Sequence, residues 1–354
     1  MIRAVASVAG MASYPLADLG SSTAISLAQN ESAFSVSPKA QAAGQAGMEH
    51  ATQYPDPDWH ALRAAIASTH GVHAEQILCG AGSMELIGCL IRAFAGPGDE
   101  VLGTQFGYLF VSTACQQADA TYVRAEEPDF TVSVDLLLAA VTEKTRIVFL
   151  CNPGNPTGTR IANRDIVRLR EALRANILLV VDQAYGEFDD QDQSAVFDLV
   201  ARGDTVLMRT FSKAYGLAGA RVGWGYFPAA IAEQTRKLMN PNNISTVSQD
   251  MATAAMLDQS HMREVVRQTA LIRERFAARL RTMGLEVPES HTNFVLISFK
   301  DVETASRANA ALLDAGYILR GMGGYGLPAC LRATIGTADV MDAVAAILEE
   351  LTYE

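Results

Sequence analysis

A serine, a lysine and an arginine stand close together in a glycine-rich stretch that follows an apolar run. The run Thr205–Thr210 leads into Ser212 and Lys213, and Arg221 follows eight residues after the lysine. A hydroxyl, an amine and a guanidinium on flexible backbone suit a phosphate group with a carbonyl beside it. The alternative is that the lysine extends into water, as most lysines do.

A carboxylate and an amide follow two other apolar runs. Asp182 comes directly after Ile177–Val181 (ILLVV), where a buried carboxylate is costly unless it meets a cation or hydrogen-bond donors. The alternative for Asp182 is the N-cap of a helix. After Arg146–Cys151 (RIVFLC), two prolines and two glycines in NPGNPTG restrict the backbone, so Asn155 is either a rigidly held donor or part of an ordinary turn.

The turn Gly80-Ala81-Gly82-Ser83 opens a predicted helix that runs to about Phe94. Its backbone amides and the helix dipole could serve the same phosphate. A glycine-rich turn is a weak signal on its own. The shared position of all these groups, after apolar runs, is the stronger argument.

Short β-branched runs alternate with longer helical stretches, which is typical of a parallel sheet with crossover helices. The fold class is therefore α/β, with a mostly parallel central sheet flanked by helices. The predicted strands are Gln76–Gly80, Glu100–Gly103, Ala120–Val123, Arg146–Cys151, Ile177–Val181, Thr205–Thr210 and Val222–Tyr226. Ligands of such sheets lie beyond the carboxyl ends of the strands, so the polar groups above are expected to meet there.

The pattern changes after about Ile231. We expect a helix over Asp165–Asn176 before this point and a single helix from Gln249 to about Met283 after it. A smaller α+β unit follows, with strands near Asn293–Ser298 and Leu331–Ile335 and a helix over Ala338–Leu351. We predict an N-terminal arm (1–40) that packs with the small domain or a partner subunit, a large cofactor domain (41–245) and a small C-terminal domain (246–354).

Composition restricts the function further. The 354 residues carry a net charge of −11, which disfavours nucleic-acid binding. The five cysteines are scattered and never form C-x-x-C, which favours a reducing, cytoplasmic setting and argues against a disulfide framework or a metal site. No apolar run reaches the roughly 18 residues of a membrane span, and the N-terminus is interpreted as a mature arm.

Taken in order, the motifs resemble the fold type I pyridoxal-phosphate aminotransferases of class I and II, and among them the histidinol-phosphate aminotransferase branch. The resemblance covers nearly the whole chain. It is carried by LAQNES, YPDPDWHALR from Tyr54, GAGSMELI from Gly80, GDEVLGTQFGY ending at Tyr108, NPGNPTG, DQAY, SK with the later arginine, TNFVL and LRATIGT. Together these motifs imply an enzyme that transfers an amino group by a ping-pong mechanism.

The resemblance implies a role for each matching residue around pyridoxal 5′-phosphate. Lys213 would form a Schiff base with the cofactor aldehyde and later shuttle the substrate proton. Asp182 would pair with the ring nitrogen, Asn155 and Tyr185 would bind the ring O3′ oxygen, and Tyr108 would stack on the ring face.

The resemblance also implies which residues bind the cofactor phosphate and which bind the substrate. The phosphate would be held by the amides of Ala81, Gly82 and Ser83, by Ser212 and Arg221, with Thr210 as a further candidate. Tyr54 would reach the phosphate of the other subunit, which implies a homodimer with shared sites. The substrate-binding residues would be Tyr14, Asn30, Arg320 and Arg332.

Several positions depart from the family pattern and concern the substrate. They are Met84, Gln105-Phe106-Gly107, Gln183 in DQAY and Pro241-Asn242-Asn243. The arginines suit either an α-carboxylate or a phosphate ester, so histidinol phosphate and a free amino acid both stay open. The alternatives are a decarboxylase or lyase of the same fold, similar to threonine-phosphate decarboxylases, and a non-catalytic cofactor-binding regulator. A nicotinamide-dependent dehydrogenase is disfavoured because no G-x-G-x-x-G follows the first strand.

Overall fold

A computed structural model describes residues 2–12 and 24–352 of the chain. Within these ranges the strands are β1 (Ile25–Ser26), β2 (Ile77–Ala81), β3 (Glu100–Thr104), β4 (Thr121–Ala125), β5 (Thr145–Cys151), β6 (Leu178–Asp182), β7 (Thr205–Thr210), β8 (Val222–Tyr226), β9 (Phe294–Ser298), β10 (Tyr317–Ile318), β11 (Arg320–Gly321) and β12 (Cys330–Thr334). The α-helices there are α1 (Ala6–Ala9), α2 (Pro38–Gly47), α3 (His60–His70), α4 (Ser83–Phe94), α5 (Leu109–Gln117), α6 (Val134–Ala139), α7 (Asn163–Ala172), α8 (Ser194–Asp198), α9 (Ala229–Arg236), α10 (Thr246–Leu257), α11 (Gln259–Thr282), α12 (Val302–Asp314) and α13 (Ala338–Thr352).

The main sheet of the described residues has the strand order β2-β8-β7-β6-β5-β3-β4. Neighbours pair in parallel from β7 to β4, whereas β8 is antiparallel to both β2 and β7. Every residue of β6 and β7 is buried, as is typical of a sheet with both faces covered by helices. The predicted mostly parallel α/β fold is confirmed.

This order brings the carboxyl ends of β5, β6 and β7 side by side. Cys151, the last residue of β5, is the direct partner of Asp182, the last residue of β6. The turn between β2 and α4 reaches the same edge because β8 inserts between β2 and β7. Polar residues far apart in the sequence are thereby placed around one opening.

A smaller antiparallel sheet has the order β11-β12-β9. Its apolar face, together with α11, α12 and α13, forms a second hydrophobic core that also contains Leu27. The N-terminal segment joins this part of the molecule, because β1 pairs in parallel with β10. Residues 25–31 therefore bridge the small sheet and the opening at the edge of the large one.

The single helix expected from Gln249 to Met283 is wrong, because Asp258 separates α10 from α11. The Asp258 carboxylate accepts hydrogen bonds from Ser37 Oγ at 2.6 Å and Lys39 Nζ at 3.1 Å. The helix predicted to reach Asn176 also ends early, at Ala172. There the buried Arg170 donates to the carbonyls of Leu173 and Arg174, which replaces further helical bonding.

Within residues 2–12 and 24–352, no helix has the length and apolar character needed to cross a membrane. All five cysteines lie in this part of the chain, and each is buried and unpaired.

Candidate active site

A cavity of about 430 Å³ opens at the carboxyl edge of the large sheet. Its walls come from the ends of β5, β6 and β7, the start of α4, the segment after β1 and the small sheet. The predicted site residues that line it are Asn30, Ser83, Tyr108, Asn155, Asp182, Tyr185, Thr210, Ser212, Lys213, Arg221, Arg320 and Arg332. Residues from 30 to 332 thus converge on one space.

Lys213 lies on the loop after β7, and its side chain enters the cavity. Its Nζ donates to the carbonyl oxygens of Gln29 and Asn30, each at 3.0 Å. Burial lowers the pKa of Lys213 from 10.5 to about 7, and the nearby Arg332 guanidinium adds to this effect. At neutral pH a large fraction of this amine is therefore uncharged and nucleophilic.

Asp182 ends β6 and is 3% exposed. Its Oδ1 accepts a hydrogen bond from the Ala184 amide at 3.0 Å, and no ion pair to it forms among the described residues. Burial raises the pKa of Asp182 from 3.8 to about 7, against the opposing effect of that bond. A buried carboxylate on a cavity wall, without a cation beside it, suits a ligand that brings a protonated nitrogen.

Asn155 and Tyr185 lie in the loops after β5 and β6. Asn155 Oδ1 accepts from Arg332 Nη1 at 2.5 Å, and the Tyr185 hydroxyl oxygen accepts from Asn30 Nδ2 at 2.8 Å. Tyr185 also packs edge-on against Phe294, with ring centroids 5.2 Å apart. These contacts leave the Asn155 amide hydrogens and the Tyr185 hydroxyl hydrogen as donors toward the cavity, so they can serve a ligand oxygen.

One end of the cavity is rich in hydrogen-bond donors. Thr210 Oγ1 donates to Ser212 Oγ at 3.0 Å, which leaves the Ser212 hydroxyl hydrogen available. Arg221 has a left-handed backbone, with φ 54°, and its Nη1 donates to the Ala218 carbonyl at 3.1 Å. The first turn of α4 adds the Ser83 and Met84 amides, and this combination suits a phosphate.

The turn before α4 requires close backbone approach. A Cβ on Gly82, whose φ is 76°, would lie 2.5 Å from Arg221 Nη2. A Cβ on Gly223 of β8 would lie 2.2 Å from the Ser83 nitrogen. Only glycine fits at these two positions, and the helix start is thereby held against β8.

The structure differs from the expectation for Ala81 and Gly82. The Ala81 amide donates to Glu85 Oε2 at 2.7 Å, so it is not available to a ligand. Neither Ala81 nor Gly82 lines the cavity, whereas Ser83 and Met84 do. The donors lie further along the chain because α4 starts at Ser83, and its free amides are those of its own first turn.

Two arginines form the opposite wall. Arg320 of β11 and Arg332 of β12 are direct cross-strand partners, and both line the cavity. Arg332 is 6% exposed and donates from Nη2 to the Ala28 carbonyl at 2.8 Å. Its Nε is buried without a hydrogen-bond partner among the described residues. Positive charge at this wall favours an anionic ligand.

Tyr54 does not line the cavity and is 88% exposed. Tyr14, predicted to bind the substrate, lies outside the described residues. Tyr108 does line the cavity, at the residue just before α5.

Several residues of the wall are not predicted from the sequence. Tyr325 comes from the glycine-rich turn after β11, and its only signal is its position close to Arg320 in the sequence. Gln29 and Glu31 flank Asn30 in LAQNES and line the cavity beside it. Met84, a departure from the family pattern in GAGSMELI, reaches the cavity because it lies in the first turn of α4.

Comparison with known proteins identifies the family of the chain. The family model described as aminotransferase class I and II matches residues 22–348. The chain is 44% identical over 330 residues to a histidinol-phosphate aminotransferase of Paramagnetospirillum magneticum, covering 92% of this chain and 91% of the relative. It is also 44% identical over 325 residues to the protein of that name from Rhodospirillum rubrum, covering 90% and 88% of the two chains.

A solved structure has the same fold. The histidinol-phosphate aminotransferase of Sinorhizobium meliloti in complex with pyridoxal-5′-phosphate superposes with a TM-score of 0.89 at 30% identity. The superposition covers 94% of this chain and 91% of that one.

Proposed function

Because the chain belongs to the class I and II aminotransferase family, we propose that it moves an amino group between histidinol phosphate and a 2-oxo acid by a ping-pong mechanism. It is a pyridoxal-phosphate-dependent aminotransferase, with amino acids and oxo acids as its general substrate class. The relatives reported above carry aminotransferase names, and nothing favours the decarboxylase alternative.

The cavity residues fit pyridoxal phosphate. Asp182 is a buried carboxylate that no cation of the described chain neutralises, so it suits the protonated ring nitrogen. At the other end, Ser212, Arg221 and the first amides of α4 present donors for the phosphate. We assign Lys213, between these two ends, to the cofactor aldehyde because its pKa is lowered to about 7.

When bound, the cofactor supplies an electron sink for the electron pair left behind as the substrate carbon loses its proton. The chain supplies the remaining functions. Lys213 Nζ takes that proton and returns it, since its lowered pKa allows both steps near neutral pH. Asp182 would hold the ring nitrogen in its protonated form, and Asn155 and Tyr185 would donate hydrogen bonds to the ring oxygen. Tyr108, which lines the same cavity, would pack against the cofactor.

The substrate proposal rests on one observation, the facing pair Arg320 and Arg332 in the same cavity as Lys213. Two guanidinium groups side by side are stabilised by a ligand that brings a dianion, and a phosphate ester carries such a charge. The names of the relatives at 44% identity support the same choice.

The assembly proposal is a homodimer with shared sites. Tyr54 is 88% exposed, which suits a side chain that completes the phosphate site of a partner subunit. We also propose the division into arm (1–40), large domain (41–245) and small domain (246–354). The separate core that contains Phe276, Val295 and Val344 supports a small domain, whereas Ala252, Ala255 and Met256 of α10 pack in the core of the large sheet. A cytoplasmic location is proposed because all five cysteines are unpaired.

The test is the half-reaction of the loaded enzyme with single amino donors. Histidinol phosphate, histidinol, phenylalanine and glutamate are mixed in turn with the enzyme, and the cofactor absorbance is followed by stopped flow. We expect histidinol phosphate to react with the highest kcat/KM. A faster reaction with histidinol than with histidinol phosphate would contradict the proposed substrate.

A further inference from the structure

Glu85 and Asn243 form a hydrogen-bonded pair behind the turn that opens α4. Glu85 Oε2 accepts from the Ala81 amide at 2.7 Å and from Asn243 Nδ2 at 2.6 Å. Asn243 Nδ2 also donates to the Cys79 carbonyl at 3.1 Å. Asn243 is thus bonded directly to the middle residue of β2 and, through Glu85, to the turn that follows this strand.

The other end of the same asparagine holds a second segment. Asn243 Oδ1 accepts from Trp59 Nε1 at 3.1 Å, and Trp59 is buried with a left-handed φ of 52°. Arg236 lies over the Trp59 ring at 4.8 Å, donates to the Pro57 carbonyl at 3.0 Å and pairs with Asp58 at 2.7 Å. The segment that follows Tyr54 is therefore fixed to the asparagine that braces the turn.

These contacts lie outside the cavity wall, directly behind the turn that leads to Ser83 and Met84 of the wall. A glutamate in the first turn of a helix that bonds a preceding amide is a local cap, which the sequence around α4 could provide alone. The bond from Asn243 is different, since it spans 158 residues and adds a charge-assisted contact to the same carboxylate oxygen. The Ser83 and Met84 amides, which do line the cavity, follow the residues held in this way.

We propose that Glu85 and Asn243 are positioning residues that hold the phosphate-binding turn in shape, and that Trp59 ties the Tyr54 segment to the same pair. The proposal rests on the proposed function, in which this turn binds the cofactor phosphate and Tyr54 reaches the partner's phosphate. Neither Glu85 nor Asn243 touches the ligand in this assignment.

The experiment compares two ligands that differ only by the phosphate. Dissociation constants for pyridoxal phosphate and for pyridoxal are measured by equilibrium dialysis on the full-length chain stripped of cofactor. We expect Asn243→Ala to weaken pyridoxal phosphate about tenfold, the equivalent of roughly 1.4 kcal/mol for one lost charge-assisted bond. Pyridoxal binding is expected to change less than twofold. Asn240→Ala, at an exposed asparagine three residues earlier, is the matched control and keeps both constants.

Asn243→Asp is the second variant, for the case that the alanine variant fails to fold. It keeps the size and the acceptor for Trp59 but places a carboxylate against Glu85, so the same selective loss is expected to be larger. Equal losses for both ligands, or unchanged constants in a folded variant, would overturn the proposal. If the wild-type chain itself shows no preference for pyridoxal phosphate over pyridoxal, the phosphate site of the proposed function is overturned as well.

The link to Tyr54 has its own readout. Trp59→Phe removes the indole donor together with part of the buried ring, and is expected to weaken pyridoxal phosphate binding in the wild-type background. In a Tyr54→Phe background the same change is expected to have no further effect, because the group it positions is already gone. Additive losses in the double variant would overturn this part of the proposal.

Discussion

Arg320 and Arg332 face each other directly across the antiparallel pair β11–β12, and both line the cavity that contains Lys213. Like charges placed directly opposite on two strands destabilise the pairing. The small sheet accepts this cost at the one position where both side chains meet the site. An anion bound there turns the repulsion into shared attraction.

Replacing the Arg332 guanidinium by a lysine amine should reduce the catalytic efficiency. We expect Arg332→Lys to lower kcat/KM for histidinol phosphate about 10- to 100-fold, because lysine cannot reproduce the forked contacts to an anion. Activity toward unphosphorylated histidinol should fall less. Steady-state assays with both donors check this, and Arg263→Lys, at an exposed position of α11, is the control. Equal losses with the two donors would contradict a role in binding the phosphate ester.

Lys213→Ala should abolish covalent capture of the cofactor. Mixed with pyridoxal phosphate and reduced with borohydride, the wild-type chain is expected to gain one cofactor mass at Lys213, and the variant none. Capture by the wild type should speed up as pH rises through about 7, where the buried amine loses its proton. Peptide mass spectrometry measures the site, and Lys237→Ala, at a surface lysine beside Glu233, is the control. Labelling elsewhere with full activity retained would contradict the assignment.

Asp182→Asn should fold and bind the cofactor but lose turnover. The neutral amide cannot keep the ring nitrogen protonated, so we expect kcat to fall about 100- to 1,000-fold, the range for loss of one preorganised electrostatic group. Rapid-quench measurement of the first half-reaction tests the chemical step directly. A variant with wild-type turnover would exclude this role for Asp182.

The chain without cofactor should have an unusual dependence of stability on pH. Because the pKa of Asp182 rises from 3.8 to about 7 on folding, the folded state holds its proton more tightly. The free energy of unfolding therefore falls as pH rises from about 4 to 7, by up to about 4 kcal/mol. Lys213, whose pKa falls from 10.5 to about 7, contributes the opposite slope above pH 7.

Urea unfolding midpoints across this pH range, read by circular dichroism, provide the measurement. Asp182→Asn should flatten the decline between pH 4 and 7, and Lys213→Met should flatten the rise above pH 7. Both variants should become more stable than the wild type near pH 7. If the slope of stability against pH is unchanged in either variant, the replaced group is not buried without an ion pair in the cofactor-free chain.

Mixing two inactive subunits tests the shared site. A Tyr54→Ala chain lacks the phenol that its partner would use, and a Lys213→Ala chain lacks the amine in its own site. In a heterodimer of the two, the site with Lys213 receives Tyr54 from the other chain, so about one site in two should recover. Activity after unfolding and refolding the mixture, with the heterodimer verified by native mass spectrometry, is the readout. A verified heterodimer without activity contradicts sharing.

The motif residues of the large sheet were predictable from the sequence because their positions follow from strand ends. Asp182, Lys213 and Asn155 each come just after an apolar run, and parallel strands place such residues at one edge. The order of apolar runs and polar residues was therefore enough to predict that these side chains lie at one edge of the sheet. The same reasoning recovered Thr205–Thr210 and Val222–Tyr226 as strands with their observed bounds.

Other features depend on contacts between distant parts of the chain, which local sequence patterns do not reveal. The break at Asp258 depends on Ser37 and Lys39, more than two hundred residues away. The Ala81 amide is taken by Glu85, a bond that turn composition alone does not reveal. Gln183, one of the departures from the family pattern, accepts a hydrogen bond from Arg209 Nη2 at 3.1 Å. The side-chain oxygen at this position therefore serves as the acceptor for the buried Arg209 guanidinium.

The strand order determines when during synthesis the site can exist. The donor-rich turn after β2 is completed only when β8, about 145 residues later in the chain, inserts beside it. Arg332 arrives later still, on β12. A nascent polypeptide on the ribosome therefore has a sheet without a completed phosphate-binding turn until β8 has emerged, and without the arginine wall until β12 has emerged. The proposed cofactor residues are thus in place before the proposed substrate wall can form.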